Sequence, residues 1–244
     1  MRVLVVSDIH SNYTALETVL AVAGSFDELW NLGDTIGYGP RPNECVMAVR
    51  NLAKVMIGGN HDLACLGKVD LSDFNPDARA ANIWNGQQLE DSNRAVLDAL
   101  PPSLEVDERF LVAHGSPREP VWEYLLSRPQ AEDNFLLFEQ QVCFIGHSHV
   151  PLIFRRHPDG QVDEPELADA DLLIELEPGY RYFLNPGSVG QPRNQDPRAA
   201  YAILDTDAGT VLFRRVEYDI AQTQHQMREA RLPPALIRRL EYGM

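Results

Sequence analysis

Five of the seven histidines, His10, His61, His114, His147 and His149, fall at or just past the ends of short apolar runs of strand length. The same run ends carry oxygen donors: Asp8 two residues before His10, Asp34 after Asn31-Leu32-Gly33, and Asn60 and Asp62 on either side of His61. Imidazoles and carboxylates without thiolates suit borderline divalent metals such as manganese, iron or zinc better than a structural zinc, which tends to use cysteine. Cobalt or nickel could substitute in vitro. One histidine at a strand end is more often an ordinary satisfied polar residue. The ordered series Asp-x-His, Gly-Asp, Gly-Asn-His-Asp, His-Gly and Gly-His-Ser-His is hard to explain that way and points to a two-metal site.

Such a site needs elements that bring distant run ends together. Strand-like runs recur at 2–7, 28–32, 54–58, 109–113, 142–145, 151–156, 172–177, 181–184, 199–205 and 210–218. In the first half they alternate with helical patterns at 13–22 and 42–52, the grammar of βαβ units, and the carboxyl ends of parallel strands line one crevice. The second half is richer in strands joined by turn signals such as Pro158-Asp159-Gly160 and Asp207-Ala208-Gly209, so the fold is read as α/β with mixed sheets. Between 63 and 101 the pattern changes to a polar loop, 68–76, and one long helix, 77–100, read together as a helical lid or insertion. The acidic stretch 163–171 reads as an exposed loop. The segment from 219 onward reads as a helix broken by Pro233-Pro234, mildly basic through Arg228, Arg231, Arg238 and Arg239, and docked or dimerising rather than ligand-binding. Glycines at 33, 58, 59, 115 and 146 fit sharp turns or close backbone approach at these strand ends.

Asp8-Ile9-His10, Gly33-Asp34, Gly59-Asn60-His61-Asp62, His114-Gly115 and Gly146-His147-Ser148-His149 resemble the five motifs of the calcineurin-like metallophosphoesterase family, along nearly the whole chain. Asn185-Pro186-Gly187-Ser188 adds a likeness to its small prokaryotic phosphodiesterases. The resemblance implies a four-layer α/β/β/α sandwich of two mixed sheets. It also implies Asp8, His10 and His149 on one metal, Asn60, His114 and His147 on the other, and Asp34 bridging both. His61 would stabilise the phosphoryl group or protonate the leaving oxygen, with Asp62 orienting it. Two metals about 3.5–4 Å apart would hold a bridging hydroxide of depressed pKa and spread the transition-state charge. Tyr38, Arg41, Arg79, Asn82 and Arg193 are named as candidate substrate contacts.

Bulk properties bound the reading. A chain of 244 residues, 44% hydrophobic, can form one domain, and no apolar run is long enough to span a bilayer. Residues 1–10 read as a first strand, not a secretory signal. Three widely spaced cysteines suggest neither a disulfide framework nor a thiolate zinc site, so the expected compartment is the cytoplasm. A formal charge of −15 argues against double-stranded nucleic acid and anionic membranes as partners. The expected function is hydrolysis of phosphodiesters on a small or nucleotide-like substrate. Alternatives are a phosphomonoesterase or protein phosphatase, a dinucleoside polyphosphate hydrolase, and a metal-binding scaffold without turnover. Self-association stays open.

Overall fold

The computed structural model describes residues 1–244. Strand β1 (Arg2–Val6) shows how the sequence builds the layers. Its alternate side chains point to opposite faces, so Val3 and Val5 enter one core cluster and Leu4 and Val6 another. Both faces are apolar, so β1 is central, and it pairs in parallel with β2 (Glu28–Asn31), which pairs in parallel with β3 (Ala53–Met56).

A second parallel trio forms from β5 (Phe110–Ala113), β6 (Val142–Phe144) and β10 (Arg181–Asn185). Antiparallel strands extend each trio. The first sheet gains β11 (Ala199–Asp205), β12 (Thr210–Val216) and β9 (Leu173–Glu175), and the second gains β4 (Ser103–Glu105), β7 (Leu152–Arg156) and β8 (Glu166–Leu167). Each sheet is therefore mixed and six-stranded.

The sheets face each other across Val3, Val5, Trp30, Phe110, Phe144 and their neighbours. The outer face of the first packs on α1 (Tyr13–Val22) and α2 (Pro42–Leu52) through Leu16, Val19, Cys45 and Val49. The outer face of the second packs on α6 (Arg128–Asn134) through Ala131 and the following Phe135. The result is the expected four-layer α/β/β/α sandwich.

Two of the expected elements differ. The acidic stretch contains β8, which pairs with β7. The expected long helix is two, α4 (Pro76–Gln88) and α5 (Asp91–Asp98), because the backbone turns extended at Leu89 and Glu90. Asn43 of α2 holds this break: its amide donates to Gln88 O (2.8 Å) and its Oδ1 accepts from Glu90 N (3.0 Å). A short helix absent from the sequence reading, α3 (Asn60–Leu66), begins on the candidate ligand Asn60. Helices α7 (Ile220–Glu229) and α8 (Pro234–Arg239) dock through Met227, Leu236 and Ile237 on Phe74, Ala78 and Ala81 at the base of α4.

Candidate metal centre

The carboxyl ends of all six parallel strands open on one place. Directly after β1, Asp8 and His10 donate their backbone N–H groups to Gly33 O (3.1 Å) and Asp34 O (2.9 Å), which laces the first two strand ends together. Asp8, His10, Asp34, His147 and His149 all have φ between +50° and +64°, a conformation that costs a non-glycine residue energy and that clusters at functional sites.

Asp34 is the hub. Its Oδ1 accepts from His61 N (2.8 Å), while its Oδ2 is buried without a hydrogen-bond partner, 3.4 Å from His114 Nε2 and 3.7 Å from His10 Nε2. Asp8 repeats the pattern: its Oδ1 has no hydrogen-bond partner and lies 3.4 Å from His149 Nε2, and its Oδ2 accepts from His147 N (3.2 Å). Two donor groups result, Asp8, His10, Asp34 and His149 in one, and Asp34, His114 and His147 in the other, with Asn60 Oδ1 3.1 Å from His114 Nε2.

The far nitrogens of three imidazoles are already engaged. His114 Nδ1 faces Leu32 O (2.9 Å), His149 Nδ1 faces Gln191 O (2.6 Å), and His147 Nε2 faces Trp122 O (3.1 Å). Each carbonyl accepts the ring N–H and leaves the other nitrogen's lone pair for a cation. Burial holds His10 and His149 well below the usual histidine range and His147 down at about 3, so the neutral, ligating form prevails. Burial lifts Asp8 to about 7. For Asp34 burial acts in the same direction, but the nearby His114, His61 and His10 outweigh it and hold the carboxyl low. His114, although buried, is raised to about 9 by Asp34.

Unpartnered carboxylate oxygens facing convergent imidazole lone pairs are a costly arrangement alone and a fitting one around two cations. The backbone leaves no slack: a Cβ on Gly59 would stand 2.1 Å from Asp34 Oδ1.

His61 sits beside this cluster, its ring centroid 4.9 Å from that of His10. Its Nδ1 meets Asn82 Oδ1 at 2.8 Å. The expected orienting role of Asp62 is not what the structure shows. The Asp62 carboxylate accepts backbone N–H groups of Thr35 (3.3 Å), Ile36 (3.0 Å) and Gly59 (3.0 Å), capping α3 and pinning the loop after Asp34. Asn82, expected to meet phosphates, is fully buried against His61.

Of the candidate substrate contacts, Tyr38 is at the site, 4.7 Å from His10 and 4.4 Å from His61 between ring centroids, and Arg193 Nη2 donates to its hydroxyl (3.2 Å). Arg41 and Arg79 are not. Arg41 pairs with Glu44 (2.8 Å) and lies over Tyr13, and Arg79 donates to Leu71 O (3.0 Å), bracing its own loop from an exposed position.

The sequence reading also missed the walls. A cleft of about 160 Å³ lined by Phe74, Trp122, Tyr124, Asn60, His61 and His147 leads to the centre, and the Tyr124 ring stacks on His147 at 4.0 Å. Arg239 of α8 brings its guanidinium 5.9 Å from the Tyr38 ring, so the C-terminal segment reaches the site. The aromatics of 122–124 and the basic run of 228–239 were the only signals, and neither has a period that aims it.

A two-sheet sandwich with a buried Asp/His cluster at its parallel strand ends defines a phosphate-ester hydrolase of the metallophosphoesterase type. Residues 1–209 match the calcineurin-like phosphoesterase superfamily domain, and the chain belongs to that family. The fold superimposes on the crystal structure of a metallophosphoesterase from Sphaerobacter thermophilus with a TM-score of 0.91, 47% identity and 100% of both chains covered. The uncharacterized protein MJ0912 of Methanocaldococcus jannaschii is 36% identical over 99% of this chain and 98% of its own length. A symmetrical bis(5'-nucleosyl)-tetraphosphatase of Chromohalobacter salexigens is 32% identical over 46% of this chain and 35% of its own.

Proposed function

We propose that this protein hydrolyses phosphodiesters of small or nucleotide-like compounds, using two divalent cations, manganese, iron or zinc. The observation that carries the reading is the buried, unpartnered Oδ2 of Asp34, shared by two donor groups at the ends of parallel strands. Asp8, His10 and His149 would hold one cation, Asn60, His114 and His147 the other, and Asp34 both. Bound there, the cations would supply a nucleophile at neutral pH and offset negative charge on the phosphoryl group.

The chain's own part is positioning and proton handling. Asn82 Oδ1 accepts from His61 Nδ1–H, so Nε2 must first take up a proton, drawn by the negative charge of the bound phosphoryl group, before it donates to a phosphoryl oxygen or to the leaving oxygen. Without substrate, burial pushes the His61 imidazole down to about 4 and leaves it neutral, so the proton on Nε2 arrives with the anionic substrate. Asp62 keeps the Asp34 loop in register. The leaving group lies in the cleft walled by Phe74, Trp122 and Tyr124, where it excludes water from His61. The local match to the Chromohalobacter tetraphosphatase favours dinucleoside polyphosphates as a second reading. No helix is long and apolar enough to cross a membrane, and three free, buried cysteines support a reducing cytoplasm as the place of action.

Protein loaded with manganese is expected to turn over bis(p-nitrophenyl) phosphate with a higher kcat/KM than p-nitrophenyl phosphate. The reverse order makes it a monoesterase, and no turnover of either with any of the three metals overturns the enzymatic reading. Asp34→Asn is expected to lose both metals and activity, since it removes the shared charge; unchanged metal content and rate would remove the assignment.

A further inference from the structure

Arg193 leaves β10 on the loop that holds His149, its backbone N–H donating to His149 O (3.4 Å). Its guanidinium carbon lies 5.7 Å from the Tyr38 ring, and that of Arg239 lies 5.9 Å from the same ring. Neither arginine meets an aspartate or glutamate, although the chain carries 36 acidic residues and Arg41, Arg118, Arg198 and Arg215 all find one. The Arg193 side chain donates only to Tyr38 OH and to Gln191 Oε1 (3.1 Å), and Arg239 Nε donates to Met244 O.

The donors left over point the same way. Arg193 Nε and Gln191 Nε2 are buried and have no acceptor, and Gln191 as a whole is 2% exposed. Buried donors without acceptors are costly and rare. Two of them beside two guanidinium groups that meet no aspartate or glutamate favour an anion there. Purely structural roles, Arg193 bracing Tyr38 and Arg239 holding the C-terminal turn, account for neither orphaned donor.

We propose that Arg193, Arg239 and Gln191 form an anion subsite that takes a second phosphate group of the substrate, so that the substrate class is a nucleoside di- or polyphosphate ester. This rests on the phosphoesterase reading above and narrows it. The arginines gather on Tyr38, whose ring in turn touches the rings of His10 and His61, so they stand one aromatic ring removed from the metal donors. That offset suits the phosphate next along the chain, not the one under attack. Burial and the neighbouring Arg193 lower the Arg239 pKa, as expected of two cations sharing a pocket without a counter-ion.

The test is calorimetric titration of the manganese-loaded protein with AMP and with the α,β-methylene analogue of ADP, which differ by one phosphate and need no turnover. The analogue is expected to bind at least tenfold tighter. Arg239→Met and Arg193→Met are each expected to weaken the analogue about tenfold and AMP less than threefold, collapsing the ratio. Equal binding of the two ligands by the parent protein, an unchanged ratio in both variants, or equal weakening of both ligands would each overturn the subsite. Should either Met variant fail to fold, the Lys variant at that position, which keeps charge but loses the guanidinium fork, is expected to give an intermediate ratio. An unchanged ratio there also counts against the subsite. Failure of both p-nitrophenyl esters to react, with the ratio and its loss intact, would strike the enzymatic reading and leave the subsite standing.

Discussion

A buried imidazole that works through one nitrogen needs a partner for the other, and His61 finds it in an amide carried by a helix 21 residues away. Nothing in the sequence links Asn82 to His61. Asp62 is the tempting neighbour, but adjacent residues on a helix point about 100° apart, so Asp62 faces back to Gly59 while His61 faces the cleft. That the candidate donors cluster was legible because each is a residue of the right type at a strand end, and strand ends converge by topology. Roles set by side-chain direction were not, which is also why Arg41 and Arg79 proved to lie outside the site. If Asn82 acts by aiming His61, its loss should cost turnover and not metal. His61→Ala is expected to lower kcat about 10²-fold, the usual scale for a lost proton donor or charge stabiliser, with metal content retained. Asn82→Ala should lower kcat about tenfold with little change in KM, and the double variant should be no slower than His61→Ala, because the amide has nothing left to position. Additive losses in that cycle would mean Asn82 acts independently of His61.

Among the elements, α4 is where sequence reading went furthest astray and where the site most depends on packing. The apolar positions continue past Leu89 without glycine or proline, so periodicity alone predicts one helix, while Asn43 caps both sides of the break from 45 and 47 residues away. A tertiary cap of this kind leaves no local trace. What the break allows is a helix set so that Asn82 and Asn85, one turn apart, both enter the centre. Asn85 accepts from Ser11 Oγ (2.6 Å) and Gly37 N (3.4 Å) and donates to Gly39 O (3.1 Å), so it ties the loop after His10 to the loop after Asp34. The segment expected as a lid carries a brace. Asn85→Ala should destabilise by about 1–3 kcal/mol for each buried group left unpaired. At roughly 2–4 °C per kcal/mol for a chain of this size, Tm falls by several degrees. Ile83→Ala on the same helix, 45% exposed, should stay within about 0.5 kcal/mol. Equal melting temperatures for the two variants would remove the brace.

At the scale of the whole molecule, two facing sheets each contribute a parallel trio, and their six carboxyl ends assemble one centre that neither sheet holds alone. The four-layer order was implied only by the family resemblance, while mixed α/β sheets were readable from hydrophobic alternation and turn signals. The pairing of the trios was not, because contacts such as Asp8 with His147 and His149 join residues 139 and 141 apart. The assembled centre stores unfavourable terms: five donors at positive φ, two buried carboxylate oxygens without hydrogen bonds, and imidazole nitrogens 3.0 Å apart in His10 and His149. Cations that bind only the folded chain offset these, so a chelator should lower Tm. Metal at 100 times its Kd stabilises by about 2.7 kcal/mol per site, which at 2–4 °C per kcal/mol is roughly 5–10 °C for one site. The size of the gap should depend on pH with a definite sign. His114, raised to about 9, and Asp8, raised to about 7, bind protons more tightly in the metal-free fold than in the unfolded chain. Their contribution is therefore complete below the unfolded pKa of each and is lost as pH rises through about 7 and then about 9. A cation displaces both protons and is spared that loss, so the melting-temperature difference between loaded and chelated protein should widen from pH 7 to 9. Proton release on metal binding, read from calorimetry in buffers of different ionisation enthalpy, should shrink over the same range. A gap that narrows with rising pH would show that these two groups do not titrate at the centre as their surroundings dictate.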